Sequence, residues 1–146
     1  YESALAVMPQ IAGFIPMLTG TGGNCGSQSS TLVIRGLAVG EIEFADLFKV
    51  IWKEVRIAVC ISVVLAVVNG LRILVMGQGD ALVALTIGVT MACTVIIAKV
   101  VGCTLPLVAK RVGLDPAIMA TPLISTLVDI STISVYFAIV SYVFHL

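Results

Sequence analysis

Four apolar runs, each long enough to cross a bilayer, restrict this chain more than any other feature of it. They lie at roughly 4–35, 55–76, 81–109 and 116–146, against the ~20 residues that a helix needs to span a hydrocarbon core of ~30 Å. Lipid offers backbone groups no hydrogen bonds, so spans of this length must satisfy themselves as helices. The expected fold class is an all-α membrane protein, a bundle of long transmembrane helices partly broken by Pro and Gly. Charged residues make up 11% of the chain, against ~25% in soluble domains. A net charge of zero gives nucleic acid no electrostatic footprint to meet. The partners to expect are membrane lipid and whatever crosses it, and the expected place is a cell membrane, spanned several times.

The connections set the topology. The first, "GLAVGEIEFADLFKVIWKEVR", carries Glu41, Glu43, Asp46, Lys49, Lys53, Glu54 and Arg56 and reads as a hydrated linker that becomes the amphipathic start of the second helix. The second, "MGQGD", reads as a tight glycine turn. In the third, "KRVGLDP", Asp115 can cap and Pro116 can sit in the first turn of the last helix. Arg35, Lys49, Lys53, Arg56, Lys110 and Arg111 fall on one side and Arg72 near the other, which makes the first and third connections cytoplasmic. Both ends of the sequence would then face outward. With Tyr1 as the first residue, the expectation is a piece of a longer protein with one helix ahead of it.

Inside the first apolar run stands "GTGGNCGSQSSTLVIRG", residues 20–36. Its glycines permit close helix approach or local unwinding. Asn24, Ser27, Gln28 and Thr31 share one helical face. Such a face in a membrane segment must line something polar.

The last run, "DPAIMATPLISTLVDISTISVYFAIVSYVF", holds one interior ionisable group, Asp129. A carboxylate at that depth costs at least ~2.5 kcal/mol to insert, so it should face a cavity or a partner. Thr121, Pro122, Ser125, Asp129, Thr132 and Tyr136 recur at three- and four-residue intervals, the spacing of one face. Pro122 cannot donate to the carbonyl of Ile118, which would free a backbone oxygen. One acid among hydroxyls and carbonyls suits a hard cation such as Mg2+, with Asp129, Ser125 and Thr121 as ligands and Pro122 and Thr132 beside them along the pathway. The structural alternative for Asp129 is an ion pair or hydrogen bond within the bundle, with Lys99 at a similar depth as one partner, and for Thr121, Ser125 and Thr132 taken singly it is back-bonding to their own helix.

Other signals carry less. "GQGD" at 77–80 matches the GxGD of intramembrane aspartyl proteases, but no Tyr-Asp partner motif precedes it, so no enzyme is expected. The glycine run lacks the Gly-Lys-Ser/Thr of a phosphate loop, and His145 stands alone. Cys25, Cys60, Cys93 and Cys103 are spaced neither for zinc nor for a disulfide framework and read as small buried hydrophobes. A rival reading from another class is a non-transporting membrane subunit that binds partner helices through its glycine face.

Together, "GTGGNCGSQSSTLVIRGLA" at 20–38 and "LPLVAKRVGLDPAIMATPLISTLVDIS" at 105–131 resemble the MgtE family of magnesium transporters and channels, over essentially the whole chain. The resemblance implies the last four of the family's five membrane helices. It implies a homodimer with its cation pore on the two-fold axis, lined by the first and last segments present here. It also implies that each subunit contributes Asp129 to the selectivity site, that the backbone carbonyl of Ser125 faces the ion, and that Ser27 and Thr31 face the pore. Mg2+ would be both transported ion and ligand, with Mn2+ and other divalent cations as further candidates. Two positions depart from the pattern: Thr121-Pro122 stands where many members have Asn-Pro, and Thr132 stands where Gly is usual. The family's first helix and its cytosolic N-terminal and CBS sensor domains have no counterpart in the 146 residues, so the expected unit is the pore without its sensor.

Overall fold

The computed structural model describes residues 9–119 and 121–144, with the backbone alone for residues 10, 119 and 121. The described residues are helical, with no strand among them. A short helix α1 (Pro9–Gly13) breaks at Phe14 and continues as α2 (Ile15–Ala38). A single 3-10 turn (Phe44–Asp46) leads into α3 (Leu47–Val75), followed by α4 (Ala81–Arg111), a second 3-10 turn (Pro116–Met119) and α5 (Thr121–Val143).

Three of these helices are long and apolar enough to cross a membrane, over Phe44–Val75, Ala81–Arg111 and Pro122–Val143. The glycine-rich α2 is long enough, at 24 residues or about 36 Å, but its small and polar residues dilute it. The break at Phe14 follows two features: Gly13 and a proline at the second position of α2, where a missing N–H costs nothing.

Helix ends follow the turn chemistry. Glycine supplies the left-handed residue after α2, α3 and α4, at Gly40, Gly77 and Gly113 (φ 75°, 62° and 81°). After α4 the N–H of Leu114 returns to the carbonyl of Ala109 at 2.9 Å, closing the orphan carbonyls. At the start of α4 the Asp80 carboxylate accepts from the Val83 N–H at 2.9 Å. The GQGD motif is thus a glycine turn and a helix cap. Asp80→Ala should cost about 1 kcal/mol of stability through the lost cap, read as a lower melting temperature in detergent.

α4 is the central helix, in contact with α2, α3 and α5; half of its most apolar window is buried, against 17% for α3. α2 approaches α4 backbone to backbone. A Cβ on Gly102 would collide with the carbonyl of Gly26, so the two backbones touch where both residues lack side chains. One turn away on α2, a Cβ on Gly22 would stand 2.8 Å from both Thr94 and Val128. The glycine run therefore remains one continuous helix and serves close approach, not unwinding.

α5 turns Ile124, Val128, Thr132, Tyr136 and Val140 inward, all buried and four residues apart, with Ile124, Val128 and Thr132 against the glycines of α2. The Tyr136 hydroxyl donates to the carbonyl of Ile11 at 2.9 Å, fastening α5 to the short helix ahead of α2. That carbonyl also accepts from the Phe14 N–H at 3.2 Å. Tyr136→Phe should therefore cost only about 0.5–1.5 kcal/mol, measured by thermal unfolding of the purified variant.

Three features differ from the sequence reading. In the charged connection the helix starts at Leu47, within the stretch read as its amphipathic start, but Glu54 on it is buried, 3% exposed, and not hydrated. Pro116 opens a separate 3-10 turn, while Pro122 is the second residue of α5. At that position its missing N–H would have had no intrahelical partner anyway, so the proline does not break a helix to free the Ile118 carbonyl. Cys25 and Cys103 are buried as expected, but Cys60 is exposed on α3.

Candidate functional site: a polar cavity between the glycine-rich helix and the last helix

A cavity of about 1170 Å³ opens along α2, walled by α3, α4 and α5. Six residues expected along a pathway line it together: Asn24, Ser27, Gln28 and Thr31 from α2, and Ser125 and Asp129 from α5. They converge because α2 and α5 meet through glycine. A Cβ at Gly23 would lie 3.5 Å from the Ser125 hydroxyl, so the bare α2 backbone brings the α5 side chains alongside Asn24 and Ser27.

Asp129 lies eight residues into α5, about 12 Å from its start. It is half-buried, and among the described residues neither hydrogen bond nor ion pair reaches its carboxylate. Asn24, Gln28 and Thr31 are exposed, so the cavity is open on the outer side of α2. The Ser27 hydroxyl oxygen is buried and without a partner among the described residues, an acceptor and donor left to whatever fills the cavity. The Thr31 hydroxyl turns back to the carbonyl of Ser27 at 2.9 Å.

The remaining expected residues fall elsewhere. Thr132 is 2% exposed and faces inward, 3.2 Å from where a Cβ of Gly22 would stand. It belongs to the buried four-residue row of α5, whereas Ser125 and Asp129 are each one residue further on than Ile124 and Val128, rotated about 100° into the cavity. Thr132 is therefore a packing residue and not part of the lining. Pro122 is exposed and outside the cavity wall. The side chain of Thr121 lies outside the described residues.

Sequence reasoning missed the second charged group in the wall. Lys99 and Glu54 both line the cavity and form an ion pair at 3.2 Å, with side chains 3% and 4% exposed. The Ser29 hydroxyl donates to the same Glu54 oxygen at 2.6 Å. The pair links α4 to α3, and Ser29 adds α2. Lys99 thus pairs with Glu54 and not with Asp129, which disposes of the structural alternative for the latter. Lys53, also in the wall, is exposed.

Among the described residues no three His, Cys, Asp or Glu side chains converge. The cavity offers one unpaired carboxylate surrounded by neutral oxygens and amides, a set that attracts a cation through its water shell more readily than it strips that shell. Gly22 and Gly26 of the glycine face pack against α4 and α5 and are not available to a partner helix, while Gly20 and Gly23 line the cavity.

Comparison with known proteins bears on this site. The family model described as "MgtE: Divalent cation transporter" matches residues 15–139. The chain is similar to "Magnesium transporter MgtE" of Thermus thermophilus, 34% identical over 143 residues, which cover 95% of the chain and 30% of that protein. It is 34% identical over 145 residues to the protein of the same name from Bacillus subtilis, covering 99% of the chain and 32% of the relative. The corresponding protein of Enterococcus faecalis is 32% identical over 144 residues, covering 97% and 31%. The chain thus spans about a third of the length of the curated relatives it matches.

Proposed function

The chain belongs to the MgtE family of divalent cation transporters, and from that premise we propose that it conducts Mg2+ across the membrane through the cavity beside Asp129. The observation that carries this reading is the unpaired, half-buried Asp129 carboxylate in a cavity lined by Asn24, Ser27, Gln28, Thr31 and Ser125. A charge left without a partner at membrane depth is costly, and a mobile cation supplies the compensation that the protein does not.

Mg2+ dehydrates reluctantly and prefers octahedral oxygen coordination. A roomy polar cavity asks little dehydration: the ion keeps its waters, Asp129 attracts it, and Ser125, Ser27 and the amides hydrogen-bond to the water shell. Mn2+ and other hard divalent cations satisfy the same requirement. Thr121, at the first position of α5, is proposed as a further ligand nearer the cytoplasmic side.

The unit of conduction is a homodimer in this reading. Asn24, Gln28 and Thr31 are exposed on one chain, and lipid cannot hydrogen-bond them. A second copy facing the first across a two-fold axis covers these groups, closes the cavity into a pore and supplies a second Asp129. A symmetric pairing of identical surfaces is the commonest oligomer geometry.

The test is uptake of Mg2+ into liposomes carrying the full chain at neutral pH, beside crosslinking of cysteines introduced at Asn24 or Gln28. Uptake together with a crosslinked dimer is the expected result. A folded chain that crosslinks at neither position would sink the two-fold pore, and a dimer with no uptake would sink the transport path.

A further inference from the structure

The Lys99–Glu54 pair stands in the same cavity wall as Asp129 and is not explained by packing alone. Replacing a buried ion pair with apolar residues is often neutral or stabilising, so a bundle this apolar gains little stability from keeping one. What the pair does change is the charge that a cation meets. The cavity wall holds four charged side chains, Lys53, Glu54, Lys99 and Asp129. Lys53 is exposed and reaches water. Of the three that remain inside, Glu54 and Lys99 cancel, and the net charge is that of Asp129.

We propose that Glu54 is a second cation site in this cavity, held by Lys99 as a tethered cation, so that the pair sets the affinity with which the pathway holds a divalent ion. The geometry suits the role. The ammonium sits 3.2 Å from the Glu54 carboxylate oxygen, where a free cation would sit. Ser29, donating to that oxygen at 2.6 Å, fixes the carboxylate towards Lys99. With two unmasked carboxylates, a divalent ion would bind tightly and leave slowly, and conduction requires binding weak enough for release. With an unmasked ammonium, the cavity would repel the ion. The balanced pair avoids both.

This inference rests on the cavity being the cation path and predicts effects of opposite sign. The experiment measures the Mg2+ concentration dependence of uptake in proteoliposomes for wild type, Lys99→Met, Glu54→Gln and the double variant. Lys99→Met should lower the half-saturating Mg2+ concentration about tenfold and reduce the maximal rate, because it adds one net negative charge to the cavity wall. Glu54→Gln should raise the half-saturating concentration about tenfold. The double variant should fall between the two singles without matching wild type, because the net charge is restored while the Glu54 site is lost.

Two singles that shift in the same direction, with no recovery in the double, would reduce the pair to a strut and overturn the proposal. Should either single fail to fold because it buries an unpaired charge, the double decides alone. Buried pairs replaced together usually fold, so a folded double that matches wild type in half-saturation and maximal rate would reduce the pair to a strut and overturn the proposal, whereas a shifted half-saturation supports a cation site at Glu54. Wild type that takes up no Mg2+ would instead overturn the cavity as the path.

Discussion

Asp129→Asn is expected to reduce Mg2+ uptake by about 100-fold or more while leaving the bundle folded. Both halves follow from the same observation. No hydrogen bond or ion pair among the described residues reaches the Asp129 carboxylate, so the folded chain loses no interaction when the charge is removed, and stability should be unchanged or higher, since an unpaired charge at this depth is costly. A divalent ion loses the unpaired negative charge that offsets its partial desolvation. At an effective dielectric of ~20 and a separation of ~5 Å, two unit charges interact by about 3 kcal/mol, and a factor of ten in a rate or equilibrium corresponds to ~1.4 kcal/mol. Asparagine keeps the volume and the oxygen, so the loss reports on charge. The measurement is ion flux beside melting temperature and oligomeric state. Unchanged flux in a folded dimer would move the site along α2 to Asn24 and Gln28.

The second large effect concerns folding. Gly102→Leu should yield no stably folded chain, and Gly102→Ala should already lose about 1–3 kcal/mol through overpacking. The atom that a new Cβ would meet is the Gly26 carbonyl. A helix backbone cannot rotate out of the way as a side chain can, so the whole of α2 must move off α4. That displacement would also open the contacts of Gly22 with Thr94 and Val128. Gly70→Ala provides the contrast, because nothing lies within 4 Å of its would-be Cβ. It should be tolerated, with a gain of up to ~1 kcal/mol from helix propensity. Thermal unfolding in detergent separates the two glycines, and a Gly102→Ala protein as stable as wild type would refute the backbone contact.

The parts legible in the sequence are those that periodicity and cost determine. Asp129 stands out because a lone acid in an apolar run has few excuses, and Asn24, Ser27 and Gln28 stand out because helical spacing puts them together. What stayed hidden depends on tertiary pairing. Glu54 sits among Glu41, Glu43, Asp46, Lys49, Lys53 and Arg56, and nothing local distinguishes the one that is buried from those in water. Lys99 had a plausible partner in Asp129 by depth alone; only the placement of α3 against α4 puts Glu54 there instead. Thr132 shows the resolution limit of face assignment. Intervals of three and four residues place it with Asp129, yet the interior of α5 follows a strict interval of four, which separates them.

The Tyr136–Ile11 hydrogen bond joins residues 125 positions apart, and this fixes something about how the protein is made. α2, with its glycines and polar residues the least lipid-compatible of the long helices, leaves the ribosome before Gly102 and Val128, against which it packs. α2 gains its close-packed neighbour when α4 enters the membrane, but it lacks its terminal fastening to Tyr136 until α5 follows. The packing of α2 against α4 and α5 is therefore complete only after both of those helices have been made.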